Sequence, residues 1–343
     1  MTERLLIVGS NGHEGQIGGM FARAAEACGL PVQLIDARTD LTATLFDRVA
    51  FRLRRRRHPG EAALNRRVLS AASTFKPTIM LVTGLMPVHR ATIEEIRHRT
   101  AVAVNYMTDD PFNRVHRSPT ALASISAFDL FVSLKPLVDG DLRSAGARRI
   151  CRSWFAYDPT QHFPERAPAA EMRTWAADIT FVGGADRDRA SLLAPARRWA
   201  REHGRSFAVF GGRWNRFPRY LPYYRGFANG PHYRHALTEA GVLLSPVRRA
   251  NRDGHTMRTF EAPAIGAFML LERTADHLEL FEEDRHAAFF SGPEELRDKS
   301  AFYVSRDTVR RRIAEAAHTR ITTGGHTYAH RLQQILAWVS PHR

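Results

Sequence analysis

The densest set of reactive side chains lies in residues 245–261, Ser-Pro-Val-Arg-Arg-Ala-Asn-Arg-Asp-Gly-His-Thr-Met-Arg-Thr-Phe-Glu. It follows an apolar run, Val242-Leu243-Leu244, and leads into a helical stretch. Arg248, Arg249, Arg252 and Arg258 therefore gather where the first N–H groups of a helix lack intrahelical partners. Unpaired amides, the helix dipole and planar guanidinium forks all favour a bound phosphate. Asp253 and Glu261, eight residues apart, bracket this loop and the first helical turn. A second cluster spans residues 178–189: an apolar strand ends in Gly183-Gly184, and Arg187 and Arg189 sit at the start of the next helix. This too is a phosphate-compatible strand–turn–helix. A third, Tyr106-Met107-Thr108-Asp109-Asp110-Pro111, puts two adjacent carboxylates at the carboxyl end of a strand, where they are candidates for a general base or for binding a hydroxyl.

Weaker signals are read as structure. Gly9, Gly12 and Gly15 are spaced G-x-x-G-x-x-G rather than G-x-G-x-x-G, which predicts a tight turn and no NAD site, even with Asp36 ending the next strand. Asp139-Gly140-Asp141 reads as a turn, and Arg54-Arg55-Arg56-Arg57-His58 as a solvated basic face. No H-E-x-x-H, P-loop or G-x-S-x-G occurs.

Side chains of this kind need rigid elements behind them. Strand patterns at 5–8, 32–35, 78–83, 101–106 and 129–133 alternate with helical patterns at 16–28, 61–74, 89–98 and 136–145. Residues 156–177, with Asp158-Pro159, Phe163-Pro164 and Pro168, read as an interdomain linker. Beyond them the alternation resumes, with strands near 178–183, 206–210, 241–245 and 267–271. Helices are expected near 188–202, 232–239, 257–264, 293–303 and 326–338. Strands alternating with helices predict an α/β chain of two doubly wound parallel sheets, with ligands beyond the carboxyl ends of the strands.

The composition is consistent with this. A length of 343 residues predicts two domains, and 44% hydrophobic with 25% charged residues excludes wholesale disorder. No apolar run approaches the ~18 residues of a membrane span. Two isolated cysteines exclude a disulfide framework or a cysteine-rich zinc site. Residues 1–4 lead straight into a strand, so no signal peptide is expected, and the expected compartment is the cytoplasm. The formal charge is +15, and 47 of the 50 basic residues are arginine. Such a surface suits an anionic ligand. The alternative it leaves open is a non-catalytic binder of nucleic acid or of an anionic surface.

Residues 251–270, Asn-Arg-Asp-Gly-His-Thr-Met-Arg-Thr-Phe-Glu-Ala-Pro-Ala-Ile-Gly-Ala-Phe-Met-Leu, resemble the glycosyltransferases similar to the spore-maturation protein CgeB. The resemblance extends through Glu272-Arg273-Thr274, His277 to Phe281, Phe289-Phe290, Pro293 to Leu296, and His326-Thr327-Tyr328 with Arg331. The segment from Tyr106 to Pro111 shares it.

The resemblance implies the GT-B architecture, two Rossmann-like domains facing across a cleft. The N-terminal domain (1–160) would take the acceptor and the C-terminal domain (161–325) the nucleotide-sugar donor, with a last helix (326–343) packing back on the first. It also implies transfer from a nucleotide-diphosphate sugar such as a UDP- or GDP-sugar, with retention of configuration and no metal or other cofactor. The acceptor, whether protein, glycan, lipid or small molecule, is not specified. No specific nucleic acid is expected, only a weak contact with an anionic membrane surface.

Asp253-x7-Glu261 stands where the wider group has E-x7-E. Glu261 would hold the ribose hydroxyls, and Asp253 would lie near the sugar as a catalytic group with Asp109 and Asp110. The backbone of Gly254, His255 and Thr256 would meet the diphosphate. Gly183, Arg187 and Arg189 resemble the group's basic pair after a strand. Arg249, Arg252 and Arg258 would add charge at the diphosphate.

Overall fold

Short apolar runs such as Leu5-Leu6-Ile7-Val8, Ile79-Met80-Leu81-Val82 and Phe207-Ala208-Val209-Phe210 form strands in which every residue is buried. That burial requires helices on both sides of a parallel sheet. The computed structural model describes residues 3–11, 16–41, 58–99, 101–113 and 118–340. The chain divides into two compact units. One is Met1–Trp154 with Ala250–Arg252 and Tyr328–Arg343; the other is Phe155–Arg249 with Asp253–Thr327.

In the first unit the described elements are β1 (Leu5–Gly9), α1 (Ile17–Ala27), β2 (Val32–Asp36), α2 (Glu61–Phe75), β3 (Ile79–Thr83), α3 (Arg90–His98), β4 (Val102–Met107), α4 (Pro119–Ala123), β5 (Leu130–Ser133), α5 (Asp139–Ser144) and β6 (Ile150–Arg152). The strands form one parallel sheet in the order β2-β1-β3-β4-β5-β6. Leu6, Val8, Met80, Val82 and Ala103 pack against Leu64, Val68, Ile93 and Ile96 of the covering helices.

The second unit contains α6 (Met172–Trp175), β7 (Ala177–Val182), α7 (Arg187–Glu202), β8 (Phe207–Phe210), α8 (Pro231–Thr238), β9 (Ala240–Ser245), α9 (Arg258–Ile265), β10 (Met269–Glu272), α10 (Ala275–Leu280), β11 (Ala288–Phe290), α11 (Pro293–Val304) and α12 (Asp307–Thr323). Its parallel sheet runs β11-β10-β9-β7-β8. Ile179, Phe181, Val209, Val242, Leu244 and Leu270 form its core with Leu193, Trp214, Leu296 and Ile313. The last helix, α13 (Tyr328–Val339), belongs to the first unit. There the Tyr328 ring meets Phe21 of α1 edge-on at 5.0 Å, and Arg149 donates to the Trp338 carbonyl at 2.7 Å.

Both sheets are thus doubly wound, as the alternation of patterns predicts. Besides short elements the sequence reading did not assign, three features differ from it. Residues 156–177 are no free linker. They belong to the second unit, and Trp175 is buried in a stack on Phe210 at 5.5 Å. Helix α12 has no counterpart in the sequence reading, because its buried face, Ile313, Ala314, Ala317 and Ile321, is half alanine in an arginine-rich stretch and leaves a weak periodic signal. Asp139-Gly140-Asp141 opens α5 rather than forming a turn, and the Asp139 carboxylate accepts the Ser133 hydroxyl. Gly12, Gly15 and Arg54 to Arg57 lie outside the described residues.

Candidate functional site

The strands β7 and β8 end together on glycines. The Gly183 N–H donates to the Phe210 carbonyl at 2.8 Å, and a Cβ on Gly211 would lie 2.6 Å from the Gly183 carbonyl oxygen. A Cβ on Gly183 would itself meet the Phe181 ring at 2.9 Å and Nη1 of Arg258 at 3.1 Å. Only a residue without a side chain lets Arg258 come this close to the backbone. Trp214, fully buried, fixes the turn by donating Nε1–H to the Gly183 carbonyl at 2.9 Å.

Beside this turn, two guanidiniums share one ring. Arg258 lies 5.4 Å and Arg189 5.7 Å from the Phe181 centroid, within cation–π range. Arg189 spends Nη1 on the Gly184 carbonyl at 2.9 Å, but its Nε is buried without a hydrogen-bond partner among the described residues. The same holds for Nε and Nη2 of Arg258. Burial holds the Arg258 guanidinium below its ordinary value. Burial, with Arg258 and Arg248 as like charges, pulls Arg189 down to about 10. Three arginines thus repel one another in a partly desolvated corner. Glu261 for Arg258, Asp186 for Arg189 at 3.8 Å, and Asp253 for both offset part of that. Buried unpaired donors on cations are costly, and an anion with several oxygens is what would satisfy them.

Helix α9 brings in Glu261, which is buried; Oε2 accepts the Tyr233 hydroxyl at 2.6 Å, and Oε1 lies 3.6 Å from Nε2 of His162. Burial and the neighbouring carboxylate push the Tyr233 phenol well above its ordinary value, so it stays a donor. The loop before α9 rests on the β10–α10 turn. A Cβ on Gly254 would fall 2.2 Å from Oδ2 of Asp276, and the Gly254 carbonyl accepts the Thr274 hydroxyl at 2.6 Å. His255 is buried, with Nδ1 2.7 Å from Asp276, while Nε2 accepts the Phe155 N–H at 3.2 Å. Its side chain therefore builds the loop. The Thr256 N–H goes to Oγ1 of Thr259 at 3.1 Å, and Thr259 in turn meets Nε2 of His277 at 3.0 Å. Burial drops the His277 imidazole to about 4.

Gly183, Arg189, Asp253, Gly254, Arg258 and Glu261 are therefore assembled by the second unit, at the carboxyl ends of β7 and β9. Arg187 is exposed at the first turn of α7. Two arginines expected at a diphosphate are engaged elsewhere. Arg249 pairs with Glu272 at 2.9 Å. Arg252, grouped with the first unit, binds both oxygens of Asp110 at 2.7 and 3.0 Å and Asp141 at 2.6 Å. Its φ of +49° is unusual for a side-chain-bearing residue and is held by these three bonds.

Asp110, buried, also receives the Phe112 N–H, so its carboxylate is occupied rather than open as a base. Asp109 accepts from the Thr108 hydroxyl at 3.0 Å and from Nδ2 of Asn251 at 3.2 Å. The sequence reading missed Phe181, Tyr233, His162 and Trp214. Each lies far in sequence from the charged residue it serves, except Phe181, whose strand pattern reads as core alone. Among the described residues no three or more His, Cys, Asp or Glu side chains group as a metal site, and no helix is long and apolar enough to cross a membrane.

Residues 187–337 match the family model described as glycosyl transferase-like. No curated protein matches the sequence. Among solved structures, sucrose-phosphate synthase from Thermosynechococcus elongatus is similar at 11% identity, covering 99% of this chain and 100% of its own, with a TM-score of 0.69. HepE from Anabaena, solved with UDP and glucose, is 12% identical over 98% of this chain and 99% of its own, TM-score 0.62. A glycosyltransferase from Rickettsia africae gives 12% identity, 98% and 97% coverage, and a TM-score of 0.62. At these identities the likeness establishes the fold, which is GT-B. Residues 187–337 therefore carry a glycosyl transferase-like pattern, in a chain whose two sheets have the GT-B fold.

Proposed function

We propose that this chain transfers a sugar from a nucleoside-diphosphate sugar to an acceptor, and that the second unit binds the donor. The observation that carries this reading is the pair Arg189 and Arg258. Nε of Arg189 and Nε and Nη2 of Arg258 are buried without hydrogen-bond partners among the described residues, and they sit beside the Gly183 turn and the first turn of α9. When the bond between the sugar's anomeric carbon and the phosphate oxygen breaks, the electron pair stays on the diphosphate. The acceptor oxygen forms the new bond, and its proton passes to the departing diphosphate oxygen. Guanidiniums preset toward the leaving group stabilise that growing charge more than the ground state. HepE, with the same fold, was solved with UDP and with UDP-glucose, which supports a uridine nucleotide as the first probe.

In this reading Glu261 receives ribose hydroxyls and Asp253 lies toward the sugar. The backbone of Gly254, His255 and Thr256 lies toward the diphosphate, with the Thr256 N–H released from Thr259 on binding, and Arg187 adds exposed charge at its approach. Asp109 is the carboxylate for an acceptor hydroxyl. Membership of the CgeB-like branch, and with it retention of configuration, rests on the pattern of residues 251–281. Glu261→Ala should weaken UDP binding by about tenfold to a hundredfold, the worth of hydrogen bonds to a charged group, with the thermal unfolding profile retained. Unchanged affinity in a calorimetric titration would take Glu261 out of the site.

The arginines also supply the positive charge that a divalent ion supplies elsewhere. Sugar-nucleotide turnover should therefore continue in excess EDTA. Loss of turnover that manganese or magnesium restores would show that the arginines do not suffice.

A further inference from the structure

Residues 157–164 carry a construction that their irregular sequence conceals. The Asp158 carboxylate accepts both the N–H and the hydroxyl of Thr160, at 2.9 and 2.8 Å, and the Asp158 N–H donates to Nδ1 of His162 at 2.9 Å. The Asp158 carbonyl accepts the N–H groups of Gln161 and His162. This is a reciprocal lock, a side chain at each end of one turn bonding the backbone, in the manner of a capping box. The turn is held to α8 as well, since Arg234 donates to Glu165 at 2.6 Å and to the Gln161 carbonyl at 3.3 Å.

The lock fixes the imidazole. Because Nδ1 receives a backbone N–H, the ring proton is on Nε2. That nitrogen lies 3.6 Å from Oε1 of Glu261, an electrostatic contact just beyond hydrogen-bond length, and both side chains are buried. The Tyr233 hydroxyl holds the other oxygen at 2.6 Å, and the His162 and Tyr233 rings meet edge-on at 6.2 Å. Glu261 is thereby addressed from two sides, by a segment before β7 and by α8. Each carboxylate oxygen keeps lone-pair capacity for one more donor.

We propose that His162 is a positioning residue of the donor site: its Nε2–H fixes the Glu261 carboxylate in the orientation that receives ribose hydroxyls, so the segment joining the two sheets is a working wall of that site. This rests on the donor-site reading above. A carboxylate that is free to rotate must be ordered when the nucleotide binds, and one held in advance need not be.

Two isosteric changes separate the two ends of the ring. In His162→Asn the amide oxygen stands in for Nδ1, so the turn persists and the contact with Glu261 goes. In His162→Gln the amide N–H stands in for Nε2. Calorimetric titration with UDP should show about a tenfold loss for His162→Asn and affinity within about threefold of the parent for His162→Gln.

2′,3′-Dideoxyuridine diphosphate, which lacks both ribose hydroxyls, should bind the parent and His162→Asn alike, an outcome a merely structural role would not give. Equal losses for UDP and for the dideoxy compound overturn the inference, as does an unaltered UDP affinity in His162→Asn. Should His162→Asn fail to fold, His162→Gln decides, since a tenfold loss there assigns His162 to the turn alone. Absence of UDP, GDP and ADP binding in the parent protein overturns the donor-site reading itself, and the inference with it.

Discussion

Arg258→Met is expected to make the ligand-free protein more stable and to cripple nucleotide binding in the same step. The guanidinium is partly desolvated and repelled by Arg189 and Arg248, and two of its nitrogens lack partners among the described residues. An apolar chain of similar length relieves the cost of the unpaired buried donors, about 1–3 kcal/mol each, and this outweighs the attraction to Glu261 and Asp253 that is lost with the charge. The thioether keeps contact with the Phe181 ring. UDP affinity should fall by about tenfold to a hundredfold, and transfer by about a hundredfold or more if Arg258 meets the leaving diphosphate. Thermal unfolding and calorimetry on the same samples check both signs. A protein that is less stable yet binds UDP unchanged would make Arg258 a structural residue and remove the main support for the donor site.

The second large effect lies one layer out. Trp214 is fully buried in the core of the second unit, 5.7 Å from Phe181 and 4.8 Å from Tyr220 by ring centroids. Trp214→Ala should cost about 3–5 kcal/mol, the transfer and cavity terms of a lost large aromatic, read as a lower unfolding midpoint of the second unit. Trp214→Phe separates packing from hydrogen bonding. It keeps most of the ring volume and deletes the Nε1–H that holds the Gly183 carbonyl. It should cost less stability and still weaken UDP binding, because the Gly183 turn sets how close Arg258 lies to the backbone. UDP affinity equal to the parent's in Trp214→Phe would show that packing alone sets the turn.

Much of the architecture was legible because it follows from local rules. Apolar runs of strand length alternating with amphipathic stretches admit few arrangements other than parallel sheets wound on both faces. The two sheets observed follow that alternation. Elements with a weak periodic signal escaped. β11 has three residues, and α12 buries small side chains in a charged stretch, so neither has a periodic signal to read. Residues 156–177 read as a linker because prolines and irregular patterning look alike whether a segment is free or locked. The lock between Asp158 and His162, and the seat of Trp175 on Phe210, are visible only in three dimensions.

In the candidate site the sequence by itself determined the chemistry on offer. A glycine-ended strand before α7, an arginine-rich loop before α9, and Asp253 and Glu261 at fixed spacing all follow from residue type and from the geometry of strand–turn–helix units. Only the tertiary structure decided which charges remain available. Arg252 is bound by Asp110 and Asp141, over a hundred residues away in sequence, and Arg249 by Glu272. Arg189 and Arg258 meet on Phe181 with donors to spare. His255, whose backbone the sequence reading places at a diphosphate, has its side chain buried against Asp276, whereas His162, in an apparent linker, lies 3.6 Å from Glu261. The physical reason is common to all of them. Whether a charge is open depends on its desolvation and on its nearest opposite charge, and both are set by residues that only the folded chain brings within a few ångströms.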